Sequence, residues 1–153
     1  MTKNYHKFLA DIFLEIGKQS RKVRDMKVNK TIFINHPNKK GFQIPYQPDV
    51  RYILRNNTEI LIEIIDTQSK EKCIADIIRA YLYNAKIVCF VVKDKESEKS
   101  VYEIADVLLS KLADEMGTKK NMLPLDVKIV TVTEKELDNE EDLILRLKRE
   151  LKL

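Results

Sequence analysis

The chain predicts an α/β fold, a mixed β-sheet flanked by helices, and three observations carry that prediction. Apolar residues at the three- and four-residue spacing of a helix face, such as Tyr5, Leu9, Ile12 and Ile16, alternate along the chain with short apolar runs such as KIVCFVV at residues 86–92. Two strand-forming stretches enclose the turn signal RNNT and read as a hairpin. A strand, helix, strand succession follows, which implies a right-handed parallel crossover.

Taken in order, Tyr5, Phe8, Leu9, Ile12, Phe13 and Ile16 form one face of a first helix, with Gly17 as a natural stop. TIFIN at residues 31–35 is a short strand. FQIPYQ at residues 42–47 is confined by Pro45 and Pro48 to an edge or irregular strand. Residues 50–54 and 59–65 form the hairpin, the second strand apolar enough to be buried on both faces. Cys73, Ile74, Ile77, Ile78, Tyr81 and Leu82 mark a second helix, and residues 86–92 a central strand. Ser100 and Glu103 stand in capping-box spacing at the head of a third helix that ends at Gly117. A last strand at residues 126–132 and an amphipathic helix EEDLILRLKREL complete the order helix, three strands, helix, strand, helix, strand, helix.

A length of 153 residues suits one domain, with no linker-like or repeated segment to divide it. The longest apolar run, IVCFVV, is too short to span a bilayer, and the first residues lack the uninterrupted apolar stretch of a signal peptide. A cytoplasmic protein without a membrane partner is expected. Cys73 and Cys89 fall on core positions and read as buried thiols. Three isolated glycines form no phosphate-binding loop, and His6 and His36 have no metal-ligand spacing, so that His6 reads as a surface residue of the first helix.

Charge is unevenly placed. The first 55 residues hold 12 Lys/Arg against 4 Asp/Glu, whereas the rest hold 16 against 20. Lys18, Arg21, Lys22, Arg24, Lys27, Lys30, Lys39 and Lys40 have only Asp25 among them to offset their charge. Such a stretch is either a solvated basic loop or a surface for a polyanion, and a nucleic acid, DNA foremost, is the partner it predicts. Tyr46, Gln47 and Arg51 flank the hairpin and could touch the same backbone.

The acids of the hairpin are the strongest chemical signal. Glu63 lies in the middle of ILIEII, where an unpaired carboxylate is costly and must be paired, hydrogen-bonded or bound to a cation. An even-numbered turn places Asp49 and Glu63 on opposite faces. A three-residue turn, Arg55-Asn56-Asn57 with Asn57 left-handed, places them directly opposite each other, about 5 Å apart at their β-carbons. Joined by the Ile64 carbonyl, and approached by Glu15 from the first helix, the two carboxylates make an oxygen-rich pocket suited to Mg²⁺ or Mn²⁺. The plainer alternative is that Glu63 pairs with Arg51 or another cation across the sheet.

These pieces resemble the PD-(D/E)XK nuclease superfamily, the restriction-endonuclease-like fold shared with archaeal Holliday junction resolvases. The matching residues are Glu15, the Pro48-Asp49 pair, an acid 14 residues later at Glu63, and the helix and strand CIADIIRAYLYNAKIVCFVV. The similarity in element order spans roughly residues 3–115. It implies a magnesium- or manganese-dependent hydrolase of nucleic acid, with a homodimer as one assembly open to it. The departure is the motif lysine, because Glu63-Ile64-Ile65 stands where Glu-x-Lys is expected. That lysine orients the attacking water and offsets phosphate charge. Lys70 is the first candidate for a displaced lysine and Lys72 the second. Gln68 could position a water without bringing charge, and the third alternative is a fold that kept its nucleic-acid surface and lost its chemistry, as a binding or assembly module.

Overall fold

A computed structural model describes residues 4–65 and 69–153. In chain order it contains α1 (Tyr5–Gln19), β1 (Val23–Val28), β2 (Ile32–Asn35), β3 (Gln43–Tyr46), β4 (Val50–Leu54), β5 (Glu59–Ile64), α2 (Lys70–Tyr83), β6 (Ile87–Val92), α3 (Lys95–Glu115), β7 (Asp126–Thr131) and α4 (Glu140–Glu150). Five strands form a mixed sheet in the order β1-β4-β5-β6-β7, antiparallel at its first two junctions and parallel at its last two. β2 and β3 pair with each other as a separate antiparallel ribbon. The fold is α/β, as the alternating periodicities predict.

One sheet face carries Val50, Tyr52, Ile60, Ile62, Ile64, Cys89 and Val91, covered by Leu9, Phe13 and Ile16 of α1 and Leu143 and Leu147 of α4. Leu61, Val88, Phe90 and Val92 face the other way, onto Cys73, Ile77 and Ala80 of α2 and Val101 and Ala105 of α3. Strands β5 and β6 feed both layers, which is why almost every position in them is apolar. Cys73 and Cys89 are buried free thiols.

The hairpin between β4 and β5 adopts the three-residue turn. Asn57 has φ 67°, its N–H donates to the Leu54 carbonyl at 2.9 Å, and the Leu54 N–H donates to Thr58 at 2.9 Å. The ladder then pairs Ile53 with Glu59 and Val50 with Ile62, so Asp49 continues it opposite Glu63.

Three local expectations are corrected. Five strands, not three, lie between α1 and α2: the proline-bearing β3 pairs regularly with β2, and strand β1, VRDMKV, adds another whose register shifts between Val23 and Asp25. That irregularity breaks the period-two alternation, and its charged residues disguise what remains. Gly17 does not stop α1, which runs on to Gln19 and is capped at Ser20. Gly17 is instead buried where α1 crosses the sheet: a β-carbon there would run into Met26 and lie 3.1 Å from the Tyr52 ring. Helix α3 starts at Lys95, before Ser100, because the Asp94 carboxylate accepts the Ser97 N–H at 2.7 Å and caps it earlier.

Candidate functional site

Asp49 sits just before β4, where the chain enters the hairpin. Its Oδ2 accepts the Ile64 N–H at 2.7 Å, and His6 Nε2, from the first turn of α1, lies 3.0 Å from Oδ1. Both carboxylate oxygens are thereby oriented. Glu63 is 1% exposed. Its Oε1 accepts from the Tyr46 hydroxyl at 3.4 Å, and Lys72 Nζ lies 3.5 Å from Oε2. One helical turn beyond Lys72, the buried Asp76 places Oδ2 3.2 Å from the same ammonium, while Arg79 stands 3.7 Å from its Oδ1. His6, Asp49, Ile64, Lys72, Cys73 and Asp76 help to line a cleft of about 230 Å³.

Three carboxyl groups therefore crowd one lysine. Burial, then the charges of Asp76 and Asp49, push the Glu63 carboxyl up to about 9, against the opposing pull of Lys72. Burial acts to lower the Lys72 ammonium, but Asp76, Glu63 and Asp49 together outweigh it and hold its pKa above the usual value. Burial raises the Tyr46 hydroxyl, and neighbouring Glu63 adds to that, so Tyr46 remains a hydrogen-bond donor. Burial and the neighbouring acids thus favour the protonated form of Glu63 beside Asp49 and Asp76. No family model, curated protein or solved structure matches the chain significantly. The chemistry of the cleft is therefore read from its own residues.

Among the described residues, no group of three or more His, Cys, Asp and Glu side chains is placed to hold a metal ion. Mg²⁺ is commonly held by one or two carboxylates, with water and substrate phosphate completing its octahedron; of the two hairpin acids, Asp49 lines the cleft, while Glu63 is buried against Tyr46 and Lys72.

The predicted residues divide sharply. Lys72 is the lysine that reaches the carboxylates, whereas Lys70 lines a different groove with Ile74, Ser100 and Glu103, towards α3. Gln68 lies outside the described residues. Ile64 borders the cleft and supplies a backbone donor to Asp49. Glu15 is exposed and accepts from Gln19 Nε2 at 3.1 Å. It follows His6 by nine residues, about 13 Å along the helix at 1.5 Å per residue, so α1 presents His6 to the cleft in its place. Arg51 pairs with Glu59 and lies 5.9 Å from the Tyr83 ring centroid, which leaves Glu63 to Lys72.

Lys18, Arg21, Lys22, Arg24, Lys27, Lys39 and Lys40 are all exposed. Lys22 Nζ donates to the Lys152 carbonyl at 2.8 Å, and Lys27 lies 3.4 Å from Asp25. The sequence-based reading missed His6 and Asp76. Asp76 carried a usable signal, since it lies on the apolar face of α2 between Cys73 and Ile77, an acid among core residues like Glu63. His6 carried none, because its role depends on which end of α1 meets the sheet.

Proposed function

We propose that this protein is a divalent-metal-dependent phosphodiesterase acting on nucleic acid, DNA foremost, with the restriction-endonuclease-like architecture of the PD-(D/E)XK superfamily. The observation that carries this is the Lys72 ammonium 3.5 Å from Glu63, with Asp49 opposite Glu63 in the hairpin. A lysine on α2 thus takes the place that Ile65 leaves vacant in the sequence motif.

Asp49, Glu63 and the Ile64 carbonyl would hold Mg²⁺ or Mn²⁺. When bound, such an ion lowers the pKa of a water and offsets phosphate charge. The chain's own residues supply the rest. His6 and the Ile64 N–H hold the Asp49 carboxylate in one orientation, and Tyr46 does the same for Glu63. Asp76 draws Lys72 towards the cleft, and the half-exposed Lys72 side chain can then turn its ammonium to a phosphate oxygen or to an attacking water. No helix among the described residues is long and apolar enough to cross a membrane, and we place the activity in the cytoplasm. The homodimer implied by the family resemblance is read directly by sedimentation velocity.

The test is cleavage of labelled linear, branched and single-stranded nucleic acids with Mg²⁺ or Mn²⁺ by wild type, Asp49→Asn, Glu63→Gln and Lys72→Ala. Metal-dependent cleavage is expected from wild type, with a loss of a hundredfold or more, on the order of 3 kcal/mol of barrier, in each variant. Full activity in Lys72→Ala would defeat the assignment of the displaced lysine. A second reading, a nucleic-acid-binding or assembly module without chemistry, is favoured by the near-complete burial of Glu63 and the absence of a third ligand side chain among the described residues. It predicts binding without cleavage, unaffected by metal.

A further inference from the structure

One end of the β2–β3 ribbon lies beside Asp49 and Glu63. Ile32, Ile34 and Tyr46 are buried in the layer that contains α2. The Tyr46 hydroxyl reaches Glu63, and the Asn29 N–H donates to the Asp49 carbonyl at 3.1 Å. Other apolar side chains of the ribbon are exposed: Phe33 is 49%, Phe42 53% and Ile44 41% accessible. Phe33 stands on the face turned away from that layer, whereas Ile44 and Phe42 continue the face of Ile34 and Tyr46 beyond the core.

The register assigns the two rings to opposite faces. Phe33 pairs with Pro45 on the face that also carries the Asn35–Gln43 pair, joined at 2.8 Å, and the Thr31–Gln47 pair, joined at 3.3 Å. Phe42 lies opposite His36 at the far end, with the two rings edge to face at 5.9 Å and Lys39 Nζ 6.0 Å from the Phe42 centroid. Between Met26 and Pro48 the chain has four lysines, Lys27, Lys30, Lys39 and Lys40, and no acidic residue. An acid-free, lysine-bearing ribbon with solvent-facing rings is complementary to a polyanion that also offers flat apolar faces.

We propose that the β2–β3 ribbon is a binding arm for unpaired nucleotides, with Phe33 and Phe42 stacking on bases while Lys39 and Lys40 contact phosphates. Bases of an intact duplex keep their faces stacked on one another, so exposed phenylalanines gain most from single-stranded or splayed nucleotides. The end of the ribbon beside Asp49 and Glu63 places such a strand next to the cleft. The arm rests on the partner being nucleic acid, and it does not require that the cleft be catalytic.

The experiment is fluorescence anisotropy with a labelled single-stranded DNA and its duplex, on wild type, Phe33→Ala, Phe42→Ala and the double variant Lys39→Ser/Lys40→Ser, run beside the cleavage assay. Because the altered side chains are exposed, circular dichroism should match wild type. Each phenylalanine variant is expected to weaken single-strand binding by about fivefold to a hundredfold, with little change on the duplex. The lysine variant should flatten the dependence of log K on log salt by about 1.4 for two lost phosphate contacts. Equal losses on both DNA forms, or none in either phenylalanine variant, would overturn the arm. Single-strand binding lost in the phenylalanine variants of a wild type that cleaves nothing would support the arm while defeating the nuclease. Unchanged single-strand binding in those variants, beside a wild type that cleaves, would do the reverse.

Discussion

Glu63 shows how one buried side chain ties the chemistry of the cleft to the stability of the fold. Its carboxyl is raised from 4.5 to about 9 in the folded state. Between those values the unfolded chain has lost the proton that the folded chain keeps, so this group makes stability fall as pH rises through that window. Glu63→Gln keeps the shape and removes the ionisation. In urea melts it should flatten the decline between pH 5 and pH 8 and gain on the order of 2 kcal/mol at the upper end. A variant that tracks wild type at both pH values would mean that Glu63 is ionised in the folded protein. A cation held between Asp49 and Glu63, as proposed, would act in the opposite direction. At a hundred times its dissociation constant, Mg²⁺ should stabilise wild type by about 2.7 kcal/mol, and a thermal melt of Asp49→Asn should show most of that gain lost.

Among the elements, the hairpin and α1 rest on single backbone choices. Asn57 at φ 67° sets the three-residue turn and with it the Asp49–Glu63 register. Asn57→Val puts a β-branched residue in the left-handed region and should cost about 1–2 kcal/mol in chemical denaturation, whereas Asn57→Gly should stay near wild type. Gly17 lets α1 approach Met26 and the Tyr52 ring, and Tyr52 is held in turn by its hydroxyl donating to the Phe13 carbonyl. Met26 can swing aside but Tyr52 cannot, so Gly17→Val should lose about 1–3 kcal/mol through overpacking. Most elements were legible because their burial imposes a clean period. β1 was not, since its register shift and surface charges leave no alternation to read. The early cap at Asp94 was masked by the better-known Ser100–Glu103 pattern.

Across the whole molecule, charge is uneven along the chain, basic in the first third and acidic in the remainder. If two to four phosphates are contacted, raising salt from 50 to 200 mM should weaken DNA binding by about tenfold to a hundredfold, measured by anisotropy. A flat salt profile would remove the polyanion as partner. From the sequence alone came the α/β class, the order of most elements, the buried thiols and the buried acid Glu63, because each follows from local period or from an acid placed where water cannot reach. Tertiary structure decided that Asn57 and not a shorter turn sets the register, that Lys72 and not Lys70 meets Glu63, and that α1 offers His6 in place of Glu15. It also brought in Asp76. Those choices depend on which face of a helix lies on the sheet and how far along it the contact falls, and a shift of one or two residues along a helix, invisible in the periodicity, turns a side chain from the cleft to solvent.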